Sequence, residues 1–120
     1  MSDLFVTALA LSEWLDRPDA PLVIDVRKAA AFLADPERIG DAQWRDPYDV
    51  GRWGPTLPRD RDVVVYCVHG HEVSRGVRDL LQSFGYRAWY LAAGIDGWKK
   101  RKHFALPTAV RREAIESLVP

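Results

Sequence analysis

The one cysteine of this 120-residue chain stands in the stretch VVVYCVHGHEVSRG, from Val63 to Gly76, with two histidines and a glutamate within five positions of it. A thiol, two imidazoles and a carboxylate at this spacing suit two kinds of chemistry. One is nucleophilic attack by a thiolate. The other is metal ligation, because Cys67, His69, His71 and Glu72 are all ligand types. Cys-x-His-x-His is not a familiar zinc spacing, however, and no second ligand pair is apparent unless distant His103 joins, so no metal is assigned. A third reading makes Cys67 a small buried hydrophobe that ends a strand; position alone leaves it open beside the nucleophile.

The elements around the cysteine bear on that choice. Val63 to Tyr66 is strongly β-preferring and lacks polar alternation, which predicts a strand covered on both faces. Val73, Val77, Leu80, Leu81 and Phe84 recur at spacings of three and four, while Arg75, Arg78, Asp79 and Gln82 fall elsewhere. This predicts an amphipathic helix from about Ser74 to Phe84, closed by Gly85 in a left-handed cap. The loop Cys67 to Val73 then joins a strand to a helix N-terminus, where backbone N–H groups converge and the helix dipole favours an anion. A thiol at that point is biased toward thiolate. Gly70 allows the turn, and His69, His71 and Glu72 read equally as solvated loop side chains.

The remaining elements follow the same logic. Thr7 is suited to cap a first helix with Leu11, Trp14 and Leu15 on one face, ended by Pro18 and Pro21. LVIDV (22–26) predicts a buried strand with Asp25 and Arg27 at its C-terminal end. KAAAFLA (28–34) favours helix until Asp35-Pro36 stops it. The turn-rich stretch up to Asp60 is long enough to hide short elements, and we expect a strand near Ala42–Trp44 and a helical turn near Tyr48–Trp53. Trp44 or Trp53 is a candidate wall of the pocket. AWYL (88–91) predicts another buried strand, after which Gly94 and Gly97 mark the turn into a helix starting near Ile95. Thr108 to Leu118 has a helical apolar face at Val110, Ala114, Ile115 and Leu118. The expected organisation is therefore one domain over 1–104 and a helical tail over 105–120.

Strands separated by helices imply a parallel sheet with right-handed crossovers and helices on both faces. In such sheets ligands bind beyond the carboxyl ends of the strands, where Cys67, Asp25 and Arg27 all fall. Seventeen basic and seventeen acidic residues leave a formal charge of zero, so the chain has no broad footprint for nucleic acid. The KKRK run at 99–102 reads as a solvated helix end. No apolar run approaches the roughly eighteen residues that cross a bilayer and the start lacks a basic n-region, so a cytoplasmic protein without a membrane partner is expected. A single cysteine suits a reducing compartment.

Cys-Val-His-Gly-His-Glu-Val, preceded by VVVY and followed by a helix closing in FGY and then by LAAGIDGWKK, resembles the active-site half of single-domain rhodaneses, the sulfurtransferases. LVIDVR (22–27) is similar to that family's N-terminal Asp-Val-Arg signature, and the resemblance spans roughly Thr7 to Lys100. It implies a rhodanese-like α/β fold with about five parallel strands. It also implies a persulfide shuttle: Cys67 takes a sulfane sulfur from a small donor such as thiosulfate and passes it to a thiophilic acceptor, a small molecule or protein thiol, with no metal or organic cofactor. Val68, His69, Gly70, His71, Glu72 and Val73 form the implied substrate-binding loop, with Asp25, Arg27, Ser74 and Arg75 in support.

The chain departs from the family pattern at two places. Many active rhodaneses carry a cationic residue at the fifth place after the cysteine, where this chain has Glu72, and Arg38-Ile39-Gly40-Asp41-Ala42 is a loose form of the second signature. Protonated His69 and His71, or Arg75 and Arg78, are the candidates to restore positive charge. An alternative is a binding or regulatory module of the same fold with little turnover. The His-Gly-His-Glu-Val-Ser spelling is similar to rhodanese-type proteins associated with chromate resistance, which implies metal-oxyanion stress as a context. A cysteine-dependent phosphatase or arsenate reductase is a remote option, because no arginine lies between Cys67 and Val73 to clamp an oxyanion.

Overall fold

The computed structural model describes residues 3–104; the tail over 105–120 and its expected helix at Thr108–Leu118 lie outside the described residues. Five parallel strands, β1 (Phe5–Val6), β2 (Leu22–Asp25), β3 (Gln43–Trp44), β4 (Val63–Tyr66) and β5 (Ala88–Leu91), form one sheet in the order β1-β5-β4-β2-β3. The runs read as buried strands behave so because parallel pairing needs cover on both faces. In β4, Val63, Val64, Val65 and Tyr66 are all fully buried, and β4 is flanked by β2 and β5.

Alternate residues of each strand feed two cores. On one face Val63, Val65, Ile24 and Tyr90 pack with Val50 and Trp53 of α3 (Val50–Trp53) and with Val77 and Leu81 of α4 (Glu72–Ser83). On the other, Val64, Tyr66, Val23 and Leu91 pack with Leu11 of α1 (Ala8–Trp14) and with Ile95 and Trp98 of α5 (Gly94–Phe104). Thr7 caps α1 as predicted, its hydroxyl accepting the N–H of Ala10 at 3.2 Å. The short helix α2 (Ala29–Ala34) buries none of its residues and lies after β2, at the carboxyl rim of the sheet.

Several boundaries differ from expectation for physical reasons. β1 is a two-residue strand that exists by pairing Phe5 with Tyr90 and Val6 with Leu91, a tertiary cause invisible in local pattern. The helix α4 begins at Glu72 rather than Ser74, so Glu72 and Val73 belong to its first turn and not to the loop. An acid there complements the positive end of the helix. On the same helix Leu80 is 48% exposed while Arg78 is buried. Arg78 takes the inner position because its guanidinium lies 4.9 Å from the Tyr90 ring and pairs with Asp3 and Asp79. Gly85 closes α4 at φ 96°, as a left-handed cap requires.

Candidate active site at the end of the central strand

Cys67 follows directly on β4 and is only 5% exposed, so it is reached through the cavity above it. That cavity, about 640 Å³, has three walls: Arg27, Lys28 and Ala31 after β2; Val68, His69 and His71 of the loop; and Glu72, Val73 and Arg75 of α4. The Cys67 Sγ lies 3.1 Å from the hydroxyl of Ser74, which is itself fully buried on the inner side of the first turn of α4. A serine hydroxyl in that place accepts from a thiol and donates to a thiolate, so it is matched to both forms.

The loop backbone is held from behind. The N–H of Ile95 donates to the Cys67 carbonyl at 2.9 Å and that of Asp96 to the Val68 carbonyl at 3.0 Å. All peptides are trans, so the N–H groups of Val68 and His69, antiparallel to those carbonyls, face away from α5. The Gly70 carbonyl accepts from Arg75 Nε at 3.3 Å, which likewise turns the N–H of His71 away from Arg75. Among the described residues, none of the amides from Val68 to Val73 donates to a protein acceptor. Unmatched donors on a loop that starts at Cys67 and edges its cavity are suited to an anion.

Two glycines permit this contact with the turn after β5. Gly70 has φ 73°, and a Cβ on it would stand 2.7 Å from the Ala93 nitrogen and the Leu91 oxygen. Gly94 has φ 58°, and its Cβ would run into the Cys67 and Val68 carbonyl oxygens. Both positions combine a left-handed conformation with backbone approach, which only glycine tolerates.

Asp25 and Arg27 sit one strand away, for Asp25 pairs in register with Tyr66. Arg27 is forked onto the Asp25 carboxylate at 2.7–3.1 Å, and its remaining N–H groups reach the carbonyls of Asp35 at 2.8 Å and Glu37 at 3.0 Å. Burial works against the Arg27 charge, yet the hydrogen bond and the attraction from Asp25 prevail and hold its pKa above the usual range. Tyr66 packs against this pair; burial, then the Asp25 charge, pushes its phenol well above the ordinary value of 10.0. Its hydroxyl accepts the Ile39 N–H at 3.3 Å.

The structure thus brings Cys67, Val68, His69, His71, Glu72, Val73, Arg75 and Arg27 around one cavity, with Ser74 beneath it. Gly70 lies behind, in the wall of a neighbouring cavity of about 440 Å³ that it shares with His69, His71, Arg75 and Asp96. His69 is solvated, 3.7 Å from Asp96. Trp44 and Trp53 are not in the cavity wall. Trp44 stacks on Phe32 of α2 and donates to the Arg27 carbonyl at 2.8 Å, while Trp53 is buried in the core and donates to the Asp46 carbonyl, so each indole finds apolar cover and a carbonyl acceptor outside the cavity lining. Lys28 and Ala31 also join the wall, although no sequence motif marks them. Their signal was adjacency: each follows Arg27 at the start of a helix on the same rim.

The family model for the rhodanese-like domain matches residues 7–101. The chain belongs to the rhodanese-like family. Solved structures agree on the fold of this rhodanese-like domain. A rhodanese-related protein from Thermoplasma volcanium superposes with a TM-score of 0.71 at 22% identity, covering 82% of this chain and 92% of that one. A rhodanese homolog from Thermus thermophilus gives 0.61 at 26% identity, covering 76% and 95%. A Rhodopseudomonas palustris protein of unknown function, described as a possible tyrosine phosphatase, gives 0.72 at 16% identity over 82% and 81%. No curated protein matches the rhodanese-like chain in sequence. Among its described residues no helix is long and apolar enough to cross a membrane.

Proposed function

We propose that this rhodanese-like chain is a sulfurtransferase that carries a sulfane sulfur on Cys67. The observation that carries the reading is the pairing of the Cys67 Sγ with the buried Ser74 hydroxyl below a cavity edged by unmatched loop amides. The Cys67 thiolate attacks the outer sulfur of thiosulfate; a new S–S bond forms, and the old one breaks with its electron pair leaving on sulfite. The charge left on the terminal sulfur of Cys67–S–S⁻ is then met by the loop N–H groups. A thiolate or cyanide acceptor attacks that terminal sulfur, and the Cys67 thiolate leaves with its bonding pair. Every step is an exchange at sulfur, so neither a metal nor an external oxidant enters.

Thiosulfate turnover with cyanide as acceptor tests the reading: measurable sulfur transfer is expected in the native chain and none in Cys67→Ala, and equal rates in the two would refute it. Glu72 in the cavity wall favours a second reading, a module of this fold tuned to another ligand. Under that reading Glu72→Arg raises a feeble thiosulfate rate at least tenfold; a brisk native rate removes the reason for it. A phosphatase has less support, because no arginine lies between Cys67 and Val73.

A further inference from the structure

The cavity over Cys67 holds several charged side chains, but they are not equally able to meet an incoming anion. Arg27 is buried and committed to Asp25 and to the carbonyls of Asp35 and Glu37. Arg75 lays its guanidinium 5.0 Å from the Tyr90 ring and gives Nε to the Gly70 carbonyl, which draws it toward the neighbouring cavity. His69 stands beside Asp96, and Asp96 in turn pairs with Lys100 at 3.2 Å. Glu72 repels anions. Lys28 differs from all of these: it lines the cavity, it is exposed, and its ammonium has no hydrogen-bond or ion-pair partner among the described residues.

Its root is nevertheless fixed. The Val26 N–H donates to the Tyr66 carbonyl and the Arg27 N–H to the Asp25 carboxylate, and Lys28 then supplies the N-cap residue of α2. A rigid base with a compact charge on a flexible four-carbon stem suits a group that must follow a substrate in and out. We propose that Lys28 is the residue that selects anionic sulfur donors for Cys67, supplying from the β2–α2 turn an uncommitted positive charge that offsets Glu72 in the lining of the same cavity. This deepens the sulfurtransferase reading and rests on it for the nature of the donor: a sulfane sulfur bonded to an oxyanionic leaving group, as in thiosulfate or a thiosulfonate. Lys28 contacts the oxygens of the leaving group and neutralises the charge that grows on them as sulfite departs from thiosulfate, or a sulfinate from a thiosulfonate.

Paired alkylation of Cys67 separates the two claims. Iodoacetate is anionic and iodoacetamide is neutral, while both react at the same sulfur, so the ratio of their rates reads the charge at the mouth whatever the natural donor. Lys28→Met is expected to lower that ratio about threefold at low salt and Glu72→Gln to raise it by a similar factor, with both differences shrinking as salt is added. The iodoacetamide rate in each variant reports any change in exposure of the thiol. In turnover, Lys28→Met is expected to raise KM for thiosulfate more than it lowers kcat. An unchanged alkylation ratio in Lys28→Met overturns the proposal. A native chain that never loads sulfur, with a ratio that still falls in Lys28→Met, instead refutes the sulfurtransferase reading and leaves Lys28 as the anion-selecting residue.

Discussion

Two turns leave neighbouring strands at the same edge of the sheet and treat their polar groups in opposite ways. After β2, Asp25 and Arg27 are almost wholly buried, and the guanidinium reaches two carboxylate oxygens and two carbonyls. After β4, the loop from Val68 to His71 turns its carbonyls of Val68 and Gly70 to partners behind it, while its N–H groups meet no protein acceptor among the described residues. The first turn is closed and rigid; the second is rigid but open. A buried charge needs full compensation to be tolerated at all, whereas an array of free amides facing a cavity is tolerated because solvent or a ligand meets it. The β2 turn thus works as a fixed frame for the β4 turn, to which it is tied through the bond from Val26 to the Tyr66 carbonyl and the packing of Arg27 near the Tyr66 ring.

The sharpest way to break this contrast is to open the closed turn. Arg27→Met strands a buried Asp25 carboxylate and two carbonyls, and is expected to lower unfolding free energy by about 3–5 kcal/mol. A urea titration checks it, and a loss under about 1 kcal/mol would mean the pair is not the frame we describe. In the open turn a comparable deletion should spare the fold and affect the chemistry instead. Ser74→Ala removes the hydroxyl that faces the sulfur, and we expect sulfur loading to slow roughly tenfold with a stability change of about 1 kcal/mol or less. Stopped-flow loading and the same urea titration give the two numbers; a fall in stability without a fall in rate would make Ser74 a packing residue only.

The smallest expected effect lies where the two turns meet, at Tyr66. Its phenol is raised by burial and by the Asp25 charge, so the folded state holds the proton more tightly than the unfolded chain does. That contribution is intact below the ordinary tyrosine value of 10.0 and is lost as pH rises beyond it. Stability should therefore decline with alkalinity above about pH 10 in the native protein and less steeply in Tyr66→Phe, whose cost near neutrality is about 1 kcal/mol for the lost bond to Ile39. Parallel declines in the two proteins would contradict this assignment.

How much of this was legible in the residues alone varies along the chain. VVVY was readable as a covered strand because an all-apolar run leaves no face for solvent, and the strand–loop–helix order after it was readable because strand, glycine and amphipathic helix follow in sequence. The Arg78–Leu80 exchange on α4 was not, since helical spacing ranks residues by apolarity and cannot see that Tyr90 and Asp3 receive an arginine. Glu72 read as a loop acid at the mouth; its place in the first helical turn depends on where α4 starts, a boundary that periodicity fixes poorly. Asp25 and Arg27 were placed at a strand end from the sequence, but the full set of acceptors around Arg27 required the folded path of residues 35–37. Lys28 is hard to single out in the sequence, because a lysine after a signature has no direction until the turn is built.

The central claim is that Cys67 accepts a sulfur while the neighbouring charge cluster only frames it, and intact mass spectrometry after incubation with thiosulfate tests it most directly. The expected result is a gain of one sulfur atom in the native chain, reversed by cyanide or a thiol and absent in Cys67→Ser. A native chain that remains at its starting mass with thiosulfate and other sulfane donors would contradict it.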